Sequence, residues 1–194
     1  MTPARADRAL LLTPGAGADR TQPSLVAIEE ALAPVPVERM DFPYRLAGRR
    51  SPDKPAVLLG AVREGAAELA ARTGLKPDRL ILGGRSMGGR ICSMAVADGL
   101  PALALVLISY PLHPPGKPEN RRVEHIPNIT VPCLFVSGTR DAFGTPDELK
   151  AATKTIPGDV THVWLEGGDH GLRRRDADVA EAVSRWVREL RPPG

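Results

Sequence analysis

Ser86, Asp141 and His170 are the residues of this 194-residue chain whose types, order and settings could do chemistry together. A serine hydroxyl is a poor nucleophile until a base accepts its proton, and that base needs a third group to hold its tautomer. Ser86 sits in Gly83-Gly84-Arg85-Ser86-Met87-Gly88-Gly89-Arg90, and Gly84-x-Ser86-x-Gly88 has the form of a nucleophile elbow. Such a turn lifts the hydroxyl above a sheet edge and aims the next helix's first N–H groups at developing negative charge. Met87 is therefore expected to supply one oxyanion donor through its backbone N–H. Ala16, in the small-residue loop Pro14-Gly15-Ala16-Gly17-Ala18, is expected to supply the other. Each residue alone has a more ordinary reading: a helix-capping serine, a turn aspartate, a surface histidine. What favours chemistry is the conjunction, with each of the three just past an apolar, strand-like run.

Those runs must position them. Strands are expected over Arg8–Thr13, Val35–Phe42, Arg79 into the elbow, Leu103–Ser109, Pro132–Ser137 and Val160–Leu165. The second is weakened by Pro36. Between them fall helical patterns. One begins at Pro23 with Leu25, Ile28 and Leu32 on one face, and Pro34 stops it. Another runs to about Thr73 with Leu58, Val62, Ala66 and Leu69, ended by Gly74. A third spans Ser86 to Asp98. Thr145-Pro146-Asp147-Glu148 has the form of a capped helix start, and a last helix runs from about Asp176 to Leu190. Residues 43–53 read as polar turn. Alternation of strands and helices predicts an α/β fold, about six strands in a mostly parallel sheet with helices on both faces. In such a sheet ligands bind outside the carboxyl ends of strands, where Ser86, Asp141 and His170 all fall.

Competing assignments are weaker. Glu166 and Asp169 could be the acid, but both lie so close to His170 that a rigid orienter is easier to place on a neighbouring strand. His113 and His125 lie in the irregular, proline-rich stretch from Tyr110 to Val131, and His162 falls mid-strand.

Composition narrows the class. Hydrophobic residues at 42% and charged residues at 25% are ordinary for a globular domain, and the length suits one domain over 1–194 better than two. The net charge of +3 is spread among acidic residues, and the one basic tract, Arg173-Arg174-Arg175, reads as a solvated helix approach, so no nucleic-acid partner is expected. Arg5 and Arg8 before Ala9-Leu10-Leu11-Leu12 faintly suggest a leader, but Thr13-Pro14-Gly15 breaks the apolar core too early. No run reaches membrane-spanning length. Cys92 and Cys133 fall in core elements without metal-ligand spacing, which suits a reducing, cytoplasmic setting. No cofactor or metal signature is present.

Four segments carry a family resemblance: Gly83 to Arg90, Tyr110-Pro111-Leu112-His113-Pro114-Pro115-Gly116-Lys117-Pro118-Glu119, Ser137-Gly138-Thr139-Arg140-Asp141-Ala142-Phe143-Gly144, and Gly168-Asp169-His170. Over nearly its whole length the chain resembles a compact α/β-hydrolase. It is similar to small dienelactone-hydrolase-like proteins and to a family with testis-expressed and chromatin-complex members. The resemblance implies a core sheet without the first strands of the full hydrolase fold, no separate cap domain, and the Ser-Asp-His triad. One departure bears on the first loop: such proteins often carry His-Gly-x-Gly there, and Pro14 stands where the histidine would be.

With no cap, a shallow site for a small ester, thioester or lactone is expected, and Arg85, Tyr110 and His113 are candidate substrate-binding residues, Arg85 being open to a second role in bonding nearby backbone carbonyls. The Tyr110–Val131 segment, which also carries Lys117, Arg121, Arg122 and His125, is either a partial wall of that site or an ordinary solvated loop. The expected activity is serine hydrolysis through an acyl-enzyme. The alternatives are an acyltransferase using the same intermediate and a non-catalytic interaction module on a hydrolase scaffold. The sequence leaves the acyl group and the oligomeric state open.

Overall fold

The computed structural model describes residues 6–191, so Arg5 lies outside the described residues. Strands buried on both faces must be largely apolar, and such runs become β1 (Ala9–Thr13), β3 (Leu80–Arg85), β4 (Ala104–Ile108) and β5 (Cys133–Gly138), while the mixed run Val160–Leu165 becomes β6, a half-buried edge strand. The remaining strand, β2, spans only Val37–Arg39 rather than Val35–Phe42. It is an edge strand bonded to β1 alone. Pro36 has no N–H to give, and its carbonyl accepts the Leu10 N–H at 2.9 Å before regular pairing starts.

The strands lie in the order β2-β1-β3-β4-β5-β6, and each neighbouring pair is parallel. Alternation along each strand divides the core. Leu11, Leu82, Leu107 and Phe135 pack with α3 (Pro55–Thr73), α4 (Met87–Ala97) and α5 (Pro146–Thr153). Leu12, Ile81, Val106 and Val136 pack with α1 (Pro23–Leu32) and α6 (Asp176–Glu189). The helix signals act as written: Gly74 takes a left-handed φ of 67° after α3, and Thr145 with Glu148 closes a full capping box on α5. The turn-like stretch after Phe42 holds a short helix the sequence pattern did not reveal, α2 (Pro43–Leu46), with Pro43 opening it.

Because β2 lies on one side of β1 and β3 on the other, the order of connection reverses between β1 and β3. A crevice opens above the carboxyl ends at such a point, and the loop after β1 and the elbow after β3 border it.

The Tyr110–Val131 segment is drawn the other way by its own apolar residues. Leu112, Ile126 and Ile129 are buried in the α3–α4 side of the core. Beneath them His125 Nε2 lies 2.9 Å from Ser93 Oγ and 3.3 Å from Tyr110 Oη. Burial, with Arg90 adding repulsion, holds His125 down at about 4 against an ordinary 6.5. Between those values the unfolded chain binds more protons than the native one, so stability falls as pH drops from 6.5 towards 4. After discounting for partial exposure, the loss is on the order of 2 kcal/mol. His125→Gln keeps a hydrogen-bonding group and does not titrate. Its melting temperature should change less between pH 7.5 and 5 than the parent's; equal changes would rule His125 out as the source.

Candidate active site

The elbow is built by close approach. Ser86 ends the β3 run with φ 48° and ψ −117°, a strained backbone whose N–H donates to the Ile108 carbonyl at 2.8 Å. A Cβ at Gly84 would collide with the Thr13 hydroxyl and carbonyl. One at Gly88 would lie 2.5 Å from the Pro14 carbonyl oxygen. The two motif glycines therefore let the turn press against the end of β1, beside the loop that starts there.

Two further loops meet it. After β5, Asp141 turns so that its Oδ1 accepts the Phe143 N–H at 2.8 Å. After β6, the chain passes so close to β5 that a Cβ on Gly138 would overlap the Gly168 carbonyl. The Arg140 N–H donates to that same carbonyl at 2.8 Å. This packing sets His170 against Asp141: Nδ1 lies 3.0 and 2.9 Å from the two carboxylate oxygens, and Nε2 lies 2.8 Å from Ser86 Oγ. Asp141 is 2% exposed, whereas the His170 side chain keeps 22%. An acceptor carboxylate on Nδ1 selects the tautomer with Nε2 free to accept the serine proton. Phe143 stacks on the imidazole at 3.9 Å between ring centres and holds its plane. The three residues the sequence singled out are thus brought into one hydrogen-bonded chain.

Above Ser86 opens a cleft of about 410 Å³. Gly15, Ala16 and Ala18 of the β1 loop form one wall, and Phe143, His170 and Gly171 form the other. Among the described residues neither the Ala16 nor the Met87 backbone N–H meets a protein acceptor. The loop lacks the histidine of related first loops, and other groups fasten it. The Gly15 N–H donates to Gln22 Oε1 at 3.0 Å and the Gly17 N–H to Tyr44 Oη at 3.1 Å, with Ala16 between them. Sequence reasoning missed both. Tyr44 rides on the unforeseen α2, and Gln22 occupies the N-cap of α1 with a side chain that makes no bond to its own helix. The one signal for Gln22 was a glutamine just before Pro23, where Ser, Thr, Asp or Asn is usual.

Of the candidate substrate-binding residues, Arg85 takes the backbone-bonding role of its two expected ones, and Tyr110 and His113 lie away from the cleft. Arg85 touches the cleft, but the residue is 9% exposed and its guanidinium donates to the His170 carbonyl at 2.9 Å and to the Gly171 carbonyl. It ties the elbow to the histidine loop. Burial pulls its pKa down, while Asp176, Asp169 and Asp141 oppose that. Tyr110 is 1% exposed and packs edge-on against Phe135, and His113 is 5% exposed between the Pro114 carbonyl and Glu148. Neither lines the cleft. Their segment follows its apolar residues into the core, which takes these polar groups with it. Glu166 lies away from His170, its carboxylate accepting the Thr139 hydroxyl at 3.3 Å. His162 stacks between Phe135 and Trp164. No group of His, Cys, Asp and Glu among the described residues is arranged to hold a metal ion, and no described helix is long and apolar enough to cross a membrane.

Solved structures share this architecture. The Est1E protein from Butyrivibrio proteoclasticus superposes with a TM-score of 0.74 at 17% identity, covering 97% of this chain and 90% of that one. Dienelactone hydrolase from Anabaena variabilis gives 0.73 at 20% identity over 97% and 89%. An alpha-beta serine hydrolase homologue from Coxiella burnetii gives 0.76 at 15% identity over 95% and 88%. Identities this low speak for the fold alone. The sequence profile of the alpha/beta hydrolase domain matches residues 6–190, almost the whole chain, and with the six-stranded parallel sheet and its elbow this places the protein in the alpha/beta hydrolase family.

Proposed function

We propose that the protein is a serine hydrolase of small carboxylic esters, thioesters or lactones. The observation that carries this reading is the continuous chain from Ser86 Oγ through His170 to the buried Asp141 carboxylate, opening on two unpartnered backbone donors. A scaffold for binding alone has no physical need of an oriented base behind a strained serine.

As Ser86 Oγ attacks the carbonyl carbon, its proton passes to His170 Nε2. The Asp141 carboxylate stabilises the imidazolium, and the Met87 and Ala16 N–H groups receive the negative charge on the former carbonyl oxygen. Collapse breaks the bond to the leaving oxygen or sulfur, which takes the proton from Nε2. Water then gives a proton to Nε2 and attacks the acyl-enzyme, and the acid leaves as Ser86 regains its hydrogen. A cleft walled by Gly15, Ala16 and Ala18 suits a compact substrate. The buried, free thiols of Cys92 and Cys133 fit a reducing, cytoplasmic setting.

Labelling by a fluorophosphonate probe tests the reading. Intact mass should show one adduct on the native protein and none on Ser86→Ala. A folded native protein that takes no adduct would leave Ser86 unactivated and the proposal without its nucleophile.

A further inference from the structure

In the cleft wall, Gln22 has one half of its amide committed and the other half free. It stands at the N-cap of α1, the position from which a side chain ordinarily serves its own helix, and makes no such bond. Instead it reaches the β1 loop, where the Gly15 N–H lies 3.0 Å from Oε1. A backbone N–H can only donate, so the atom facing it is the oxygen, and this fixes the amide orientation. Nε2, with two N–H donors, is left on the other side.

Among the described residues Nε2 meets no acceptor. It nevertheless borders the reaction centre: the point a Cβ on Gly15 would occupy lies 3.8 Å from Gln22 Nε2 and 3.8 Å from Ser86 Cβ. The remaining polar side chains of the lining are engaged. Arg85 donates to two carbonyls, and Ser86 and His170 are bonded to each other. Ala16, Ala18 and Phe143 offer no side-chain donor. Gln22 Nε2 is thus an uncommitted side-chain donor of the cleft, beside an Arg85 whose Nη2 is spent on the His170 and Gly171 carbonyls.

We propose that Gln22 is a substrate-contacting residue whose Nε2 donates to an oxygen on one arm of the substrate, beside the oxyanion pocket. The preferred substrates are small esters or lactones carrying an ether, hydroxyl or carbonyl oxygen near the scissile bond, rather than plain alkyl esters. This rests on the serine-hydrolase reading and gives it a substrate class. The same amide holds the oxyanion loop through Oε1, so loss of activity on mutation would not by itself separate the two roles. Selectivity does.

The experiment compares isosteric ester pairs that differ by one oxygen. For the acyl arm these are p-nitrophenyl methoxyacetate against p-nitrophenyl butyrate. For the alkoxy arm they are 2-methoxyethyl acetate against butyl acetate. kcat/KM is measured for each and divided by the hydroxide-catalysed rate to remove intrinsic reactivity. A neutral hydrogen bond is worth about 1 kcal/mol, so the native protein should favour the oxygenated ester by about 3- to 10-fold in one of the pairs. Gln22→Met should bring that ratio to about 1. So should Gln22→Glu, which keeps an acceptor for the Gly15 N–H and removes the donor. No preference in either pair, or a preference that survives in both variants, would overturn the assignment while full fluorophosphonate labelling of Ser86 leaves the hydrolase reading standing. Absence of both labelling and turnover in the native protein would overturn the two together.

Discussion

Replacing His170 by alanine should lower kcat against p-nitrophenyl acetate by about 10⁴-fold or more, with the folded state intact. The geometry says why the loss is large and of what kind. Ser86 Oγ has one base within reach, Nε2 at 2.8 Å, and that base has one orienting partner, Asp141, whose side chain is fully buried. Remove the imidazole and the serine proton has nowhere to go, while the two backbone donors at Met87 and Ala16 remain to stabilise whatever reaction water can manage. The three side chains act as one device, so their losses should not add. Ser86→Ala, His170→Ala and the double variant are each expected to settle at the same residual rate. Kinetics of the three, with circular dichroism and melting temperature to establish folding, check this. A His170→Ala protein retaining near-native turnover would rule the histidine out as the base. A double variant falling well below both singles would mean that the two residues contribute independently.

That constellation was legible because each member follows a strand-like run, plainest for β3 and β5 and mixed for β6, and a parallel sheet puts all strand ends of one polarity on one edge. The topology then leaves little freedom: Ser86 after β3, Asp141 after β5, His170 after β6. Residues whose roles depend on where a side chain travels were not legible. Arg85 sits beside the nucleophile and reads equally as a clamp on backbone carbonyls or as a substrate contact; its guanidinium goes to the carbonyls of a loop 85 residues away, which no local pattern selects. Tyr110 and His113 follow a central strand and read as cleft wall. Leu112, Ile126 and Ile129 decide instead, because burying them gains more than leaving a loop over the site. Gln22 is the converse case. Nothing in the pattern distinguishes a capping side chain from one that abandons its helix for a neighbouring loop. Pro14 raised the right question about how the first loop is held, and the answer came from Tyr44, on a four-residue helix too short to leave a periodic signal.

The glycines of the elbow carry the second large effect, which falls on folding. At Gly88 an added methyl group would sit 2.5 Å from the Pro14 carbonyl oxygen, 2.5 Å from Thr13 Oγ1 and 2.6 Å from the Thr13 carbonyl oxygen. Backbone carbonyls cannot swing aside as the end of a lysine can. Relief therefore requires α4 to move away from β1, or the oxyanion loop to move away from the elbow. The first opens the α3–α4 side of the core, and the second shifts the loop that carries Ala16 away from the elbow. Overpacking a well-filled site typically costs 1–3 kcal/mol, and simultaneous clashes with two backbone carbonyls belong at or above the upper end, so Gly88→Ala is expected to lose about 3 kcal/mol or fail to fold. Gly60 is the internal control. It lies on the exposed face of α3 with nothing within 4 Å of its added carbon. There the same substitution meets no obstacle and removes unfolded-state freedom, so Gly60→Ala should gain roughly 0.5–1 kcal/mol. Urea denaturation of the two variants beside the parent reads the contrast directly. A Gly88→Ala protein as stable as the parent would mean that the elbow and the β1 loop are not pressed together, and the oxyanion pocket proposed there would lose its support.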